Sequence, residues 1–276
     1  MLVVGVLACD GHRATAPIGP PNPTGAGYAG FDIGVYPGDD ALSAWRFPAS
    51  PYHWVGYYLA APCHRDTTWM GQYKKVTSLG WGTAVLYVGQ QDWSQIPDVI
   101  ALSRRAAVSP AFDRSAAPMS TMVTCSASLL STAQGSAEAA DAVAKAASEG
   151  VPTGSAIFLD VEYVMSVSQP LVSYLSAWIA GVLADGRFRP AIYCAKSNAD
   201  AVHAAAMAAY AAANRQDAPD FWIASSVGFA ITSAPTNVGL AYATVWQGQF
   251  DVSQTWAGVT ATIDVDVADS PSPSAP

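Results

Sequence analysis

Positive charge is scarce in this sequence: 13 Lys and Arg stand against 21 Asp and Glu among 276 residues, a formal net charge of -8. An acidic chain with no basic stripe repels polyanions, so nucleic acid is excluded as an expected partner. Long apolar runs are also missing. No stretch approaches the roughly 18 uninterrupted apolar residues of a membrane-spanning helix. The four histidines (His12, His53, His64 and His203) show no metal-ligand spacing, and the four cysteines form no CxxC pair, so no metal or cofactor is expected. Neither a phosphate-binding P-loop nor a GxSxG elbow occurs. One GxGxxG match, Gly25 to Gly30, precedes a strand-like run, whereas a dinucleotide site must follow one.

What is present divides into three parts. Residues 1–27 combine a short apolar run ending in Leu-Ala-Cys with a Pro/Gly-rich tether. That run resembles a lipoprotein signal, with Cys9 as the candidate lipidated residue, so export is favoured over a cytosolic location. Contact with a membrane is expected only through this lipid. Residues 28–269 carry the fold, and 270–276 (SPSPSAP) read as a flexible tail. Of the other cysteines, Cys194 lies in a strand-like run and reads as a buried small hydrophobe. Cys63 and Cys125 fall in loop-like sequence and are candidates for a disulfide if the protein is exported.

Within 28–269, β-prone runs alternate with alanine-rich helical patterns. Eight strand candidates lie near 30–35, 53–60, 81–89, 155–163, 189–195, 220–226, 243–249 and 261–268. Helices are expected from an N-cap at Ser136 to Gly150, over 170–186, and from an N-cap at Asn198. Alternating strands and helices imply parallel βα units, and eight of them imply a single α/β domain, a (β/α)8 TIM-like barrel. Residues 91–133 form an irregular long loop after strand 3 in this reading. A monomer is expected.

The run IFLDVEY (157–163) places two carboxylates in a strand interior, where an unpaired charge is costly. Alternation sends Asp160 and Glu162 to one side. Asp32 in strand 1, and Asp264 with Asp266 in strand 8, repeat the pattern. Catalytic groups of a parallel barrel gather at the C-terminal strand ends, so these acids are expected to ring one cavity. Clustered acids raise one another's pKa values, which yields a protonated acid beside ionised partners, as glycosidic cleavage requires. Asp39, Asp40 and Asp92 are expected in caps or ion pairs instead. His203 is expected to pack, while His64 is a weaker candidate for the mouth.

The segments GFDIG, FLDVEY and VWQGQ…TIDVDVAD resemble motifs of family 25 glycoside hydrolases, the Chalaropsis-type lysozymes. The closer likeness is to glycoside-hydrolase-like domains of exported actinobacterial cell-wall proteins, through YVGQQ at 87–91 and the Gln-Gly start of a helix at Gln134. The resemblance spans roughly residues 29–269. It implies a cell-surface hydrolase acting on peptidoglycan or a related amino-sugar polymer. Glu162 would be the general acid/base and Asp160 would orient the substrate's N-acetyl group. Asp32 and Asp264 would line the pocket, and Asp266 adds a further charge where the family lysozymes end differently. Tyr58, Gln90, Tyr193 and Trp246 fall near strand ends as candidate sugar contacts. The rival reading is a non-catalytic glycan-binding barrel, and a weaker third is divalent-ion binding by the acids.

Overall fold

The computed structural model describes residues 27–92, 125–162, 164 and 166–276. Eight strands close into one barrel in chain order: β1 (Tyr28–Asp32), β2 (Trp54–Tyr58), β3 (Gly82–Val88), β4 (Ala156–Asp160), β5 (Arg189–Ala195), β6 (Phe221–Ala224), β7 (Ala243–Trp256) and β8 (Val259–Ala268). Among the described residues the helices are α1 (Asp39–Trp45), α2 (Tyr73–Ser78), α3 (Thr132–Glu149), α4 (Gln169–Asp185) and α5 (Ala199–Ala212). None is long and apolar enough to cross a membrane.

Side-chain alternation along each strand sorts the core into two layers. Ile157, Leu159, Ile192, Ile223 and Val265 face outward to the helices. Trp54, Leu86, Phe158, Tyr193, Trp222 and Val245 fill the barrel itself. Trp222 meets Trp54, Phe158 and Tyr193 edge-on, with ring centroids 5.4, 5.7 and 5.4 Å apart. Such edge-to-face packing makes a solid aromatic plug rather than a pore.

The eighth strand departs from the expected repeat. β1 to β7 pair in parallel, but β8 runs antiparallel to both β7 and β1. No helix fits between β7 and β8. They are joined by Ala257 and Gly258, with φ of 48° and 82°, the left-handed pair of a two-residue hairpin. Val252, Trp256, Val259 and Ala261 pack the hairpin arms onto the outer core, where a cladding helix would otherwise lie. Trp45 Nε1 donates to Val259 O (2.9 Å) and Tyr52 OH to Gln254 Oε1 (2.7 Å), pinning it beside α1.

Two helix starts also differ from expectation. α3 is capped by Ser131, whose Oγ accepts from Gln134 N, so Ser136 lies within the first turns. Asn198 precedes α5 but does not cap it with its side chain; its Nδ2 donates to Val164 O instead. Gly150 and Gly186 close α3 and α4 in the left-handed conformation, as expected. Of the long segment after β3, residues 93–124 lie outside the described residues, and 127–129 form a 3-10 turn leading into α3.

Residues 270–276, expected as a flexible tail, lie against the N-terminal ends of β3 and β4. Ser274 N donates to Thr83 O (2.9 Å), Ser274 Oγ accepts from Val85 N (2.7 Å), and Ala156 N donates to Ser274 O (2.8 Å). Backbone groups left open where β3 and β4 do not yet pair are thereby satisfied. Gly82 permits the approach, since a Cβ there would sit 1.8 Å from Pro271 O.

Candidate active site

Because β8 is antiparallel, its earlier residues reach the end of the barrel where the other strands finish. Asp264 pairs directly with Asp32, the last residue of β1, and Asp266 with Gly30 one layer deeper. Asp160 closes β4, and Glu162 follows two residues beyond it, partly exposed. The expected acids therefore converge, although the strand direction that brings Asp264 there was not the one anticipated. Gly56 on β2 leaves room for Asp32: a Cβ at Gly56 would lie 2.5 Å from Asp32 Cβ.

Three polar side chains join the acids. Tyr58 OH donates to Asp32 Oδ1 (2.5 Å). Gln247 Nε2 donates to Asp32 Oδ2 (2.8 Å) and Asp264 Oδ2 (3.0 Å). The phenolic oxygen of Tyr193 lies 2.8 Å from Glu162 Oε1 and 2.5 Å from Gln247 Oε1. Asp264 Oδ1 also accepts from Asp251 N (2.6 Å), in the strand beyond Gln247. Beneath them Trp222 Nε1 donates to Asp266 Oδ1 (3.1 Å). Asp160 Oδ1 and Asp266 Oδ2 are buried without a hydrogen-bond partner.

Burial disfavours the charged form of each of these acids, and neighbouring carboxylates add to the effect. Asp32 is raised from 3.8 to about 6 by burial and by Glu162, against the opposing hydrogen bond from Tyr58. Asp264 is raised to about 8, mainly by burial and then by Asp32. Asp160 is pushed well above the usual carboxylate range by burial, Glu162 and Asp32. Asp266 follows through burial, Asp32 and Asp264. The cluster thus holds neutral and ionised carboxyl groups side by side at neutral pH.

Two expected sugar contacts are elsewhere. Trp246 is fully buried in the outer layer, donates to Ser225 O (2.7 Å) and packs on Phe229. Its neighbour Gln247 has the inward parity, shared with Val245. Gln90 is also fully buried. Its Nε2 donates to Glu138 Oε1 (2.6 Å), which also accepts from Gln134 Nε2 (2.7 Å), while Tyr174 OH donates to Glu138 Oε2. The YVGQQ and Gln-Gly motifs therefore meet in a tie that fastens α3 and α4 to β3. Gln91 is closer to the acids, donating to Asp160 O (2.9 Å).

Tyr58 and Tyr193 do face the acids. His64 lies against Tyr58 with ring planes tilted by 30° and centroids 4.7 Å apart, and burial lowers its pKa to about 4. Beside it, Cys63 and Cys125 form the expected disulfide, with Cα atoms 5.0 Å apart. Asp39 pairs with Lys75, and Asp92 accepts from Ser168 Oγ (2.8 Å), the structural roles expected of them. His203 packs between Phe221 and Tyr242. Among the described residues no group of His, Cys, Asp and Glu has the arrangement of a metal site. Cys9 lies outside the described residues.

Gln247, Trp222 and Asp251 were not anticipated. Strand parity marks the first two, since both share the inward register of Val245 and Ala224, whereas nothing in the sequence marks the Asp251 backbone amide. Phe250, 42% exposed, adjoins Asp251 at the same rim.

The family model for the Rv2525c-like, glycoside hydrolase-like domain matches residues 43–268. The chain belongs to this Rv2525c-like, glycoside hydrolase-like family. The matched span holds every site acid except Asp32, which β1 supplies. Curated protein sequences give no match. Among solved structures, an uncharacterized B. stearothermophilus protein is 18% identical with a TM-score of 0.54, covering 88% of this chain and 96% of its own. The Mycobacterium tuberculosis Tat-secreted protein Rv2525c is 17% identical with a TM-score of 0.52, covering 88% of this chain and 95% of its own. The Clostridium perfringens spore cortex lytic enzyme SleM is 13% identical with a TM-score of 0.53, covering 90% of this chain and 68% of its own. At these identities the likeness is one of fold.

Proposed function

We propose that this domain is a glycoside hydrolase of the cell envelope, acting on peptidoglycan or a related amino-sugar polymer. The observation that carries the reading is the convergence of Asp32, Asp160, Glu162 and Asp264 on one barrel end, with Asp32, Glu162 and Asp264 linked through Tyr58, Tyr193 and Gln247 and Asp160 buried beside Glu162 and Asp32. A fold alone would not demand this. Buried carboxyl groups that share hydrogen bonds and repel one another cost stability, and such arrangements concentrate at functional sites.

In the proposed reaction Glu162, partly exposed at the rim, gives its proton to the leaving glycosidic oxygen. Asp160 offers its unpartnered Oδ1 to the N-acetyl group of an amino sugar. Asp32 places negative charge under the sugar ring as positive charge develops on it, while Asp264, its pKa raised to about 8, lines the same pocket. Tyr58 and Tyr193, which face the acids, and the exposed Phe250, next in sequence to Asp251, are the proposed aromatic contacts for the sugar in place of the buried Trp246. The lytic activity named for SleM, a fold neighbour, is consistent with a cell-wall glycan as substrate.

Export is part of the same proposal. The Cys63–Cys125 disulfide suits an oxidising compartment, and Rv2525c is itself Tat-secreted. Lipidation of Cys9 is read from the sequence alone, and mass spectrometry of the native N-terminus tests it. Monomeric behaviour in solution is tested by light scattering.

The function is tested by incubating the purified protein with peptidoglycan and measuring released reducing ends. Release by wild type, lost in a folded Glu162→Gln variant, is the expected outcome. Glycan binding without release by wild type would favour the non-catalytic barrel.

A further inference from the structure

Between Asp160 and Glu162 the chain leaves the barrel, and one peptide unit there is held at both ends. The ladder between β3 and β4 stops at the Val88–Asp160 pair. The unit that follows consists of the Asp160 carbonyl and the Val161 N–H, which a trans peptide points in opposite directions. Val161 N donates to Tyr193 O of β5 (3.0 Å). On the β3 side Asp160 O accepts from Gln91 Nε2 (2.9 Å), a side chain rather than a strand amide. The amide of Gln90 has already turned away to Tyr174 OH (3.2 Å). Beyond the unit the chain folds in, with Val164 N donating to Glu162 O (3.2 Å).

The orientation of the Gln91 amide depends on no titrating group. Its nitrogen faces Asp160 O at 2.9 Å and Gly89 O at 3.2 Å. Both are backbone carbonyls, which only accept, so turning the amide over would set oxygen against oxygen. Gln91 is buried, and its neighbours on either side are tied to other elements. Gln90 donates to Glu138 of α3 and accepts from Ser126 N (2.8 Å). Asp92 accepts from Ser168 Oγ at the start of α4. Three successive polar residues after β3 are thus anchored to α3, β4 and α4 in turn.

We propose that Gln91 is a positioning residue: by gripping the Asp160 carbonyl it fixes the peptide unit that leads to Glu162, and so sets how the two carboxyl groups stand to one another. Without this donor the carbonyl would lose a partner in a buried place, and the unit would be free to swing. The two acids are close enough to act on each other. After burial, Glu162 is the largest influence raising the Asp160 pKa, and the Gln91 amide opposes the rise. In the proposed reaction Glu162 serves the leaving oxygen and Asp160 the N-acetyl group, so their separation has to match a fixed distance on the substrate. A misplacement of about 1 Å can cost about a hundredfold in rate. The catalytic meaning of Gln91 rests on that reading of the two acids, whereas its grip on the peptide unit does not.

Gln91→Met keeps the length of the side chain and removes the donor. Amide hydrogen exchange, followed residue by residue by NMR, reads the grip without turnover. Val161 N–H should exchange at least about fivefold faster than in wild type, as for the loss of one hydrogen bond. Ile192 N–H, which donates to Asp220 O, should be unchanged and serves as the internal reference. Reducing-end release from peptidoglycan should fall about tenfold to a hundredfold in kcat, with KM unchanged. Unchanged Val161 exchange overturns the proposal. So does faster exchange with kcat intact, which would leave Gln91 a purely structural role. If wild type releases no reducing ends, it is the hydrolase reading that fails, and Val161 exchange still decides whether Gln91 holds the peptide unit. Should Gln91→Met not fold, Gln91→Asn, whose shorter amide falls short of Asp160 O, is read by the same two criteria.

Discussion

Replacing Asp32 with Asn removes a carboxyl that the fold holds against its preference. Asp32 is 4% exposed, and its pKa rises from 3.8 to about 6, chiefly through burial. The sign follows from linkage. Below about pH 4 the group is protonated in both folded and unfolded chains, and it contributes no pH dependence. Between about 4 and 6 the unfolded chain releases the proton while the folded one keeps it, so stability falls as pH rises. Above about 6 the loss is complete. A shift of about two units corresponds to roughly 3 kcal/mol. Asn carries no charge, its carbonyl can accept from Gln247, and the Tyr58 hydroxyl can turn to accept from its amide. Asp32→Asn should therefore raise the melting temperature at pH 8 by about 5–10 °C, with little change at pH 4. Calorimetry across that range, with activity measured in parallel, gives the comparison. A variant that loses stability relative to wild type as the pH rises from 4 to 8 would refute the reasoning, because it would show that the folded protein favours the ionised form of Asp32.

Three further outcomes are expected. Opening the Cys63–Cys125 bridge, which spans a sequence separation of 62, by the paired change to Ser should cost roughly 4 kcal/mol through the greater freedom of the unfolded chain; denaturant melts of oxidised wild type and the variant measure it. Gly82→Val should dislodge residues 271–276, because the new Cβ would overlap Pro271 O. The hydrogen bonds made by Ser272 and Ser274 would be lost at about 1 kcal/mol each, and carboxypeptidase should trim the variant but spare wild type. Trp246→Phe should lower stability while leaving glycan affinity unchanged, since Trp246 is fully buried in the outer layer; a selective loss of binding would return it to the site.

Much of this was legible in the sequence because strand parity is a strong constraint. Asp160 and Glu162 share a side, as do Asp264 and Asp266, and the closed barrel turns each shared side inward. Parity says nothing about direction, however. An inward Asp264 is compatible with a parallel or an antiparallel β8, and only the Ala257–Gly258 turn decides between them. The absence of a helix between β7 and β8 was readable in principle, from the alternation of Val252, Trp256, Val259 and Ala261 around that turn. Residue type misled where it was weighed above parity. Trp246 drew attention as an aromatic, yet the inward neighbour is Gln247. Gln90 lay near a strand end, but a buried Glu138 from a distant helix needed its donor, and no local signal reveals that demand. The C-terminal Pro/Ser composition suggested a tail because nothing in it shows the unpaired backbone groups of β3 and β4 that it satisfies.

The central claim is that Glu162 is the acid of a glycan-cleaving site. Reducing-end release from peptidoglycan, compared between wild type and Glu162→Gln with both shown to be folded, tests it most directly. The account predicts release by wild type and its loss on this one substitution of oxygen by nitrogen. Equal release by the two proteins would contradict it.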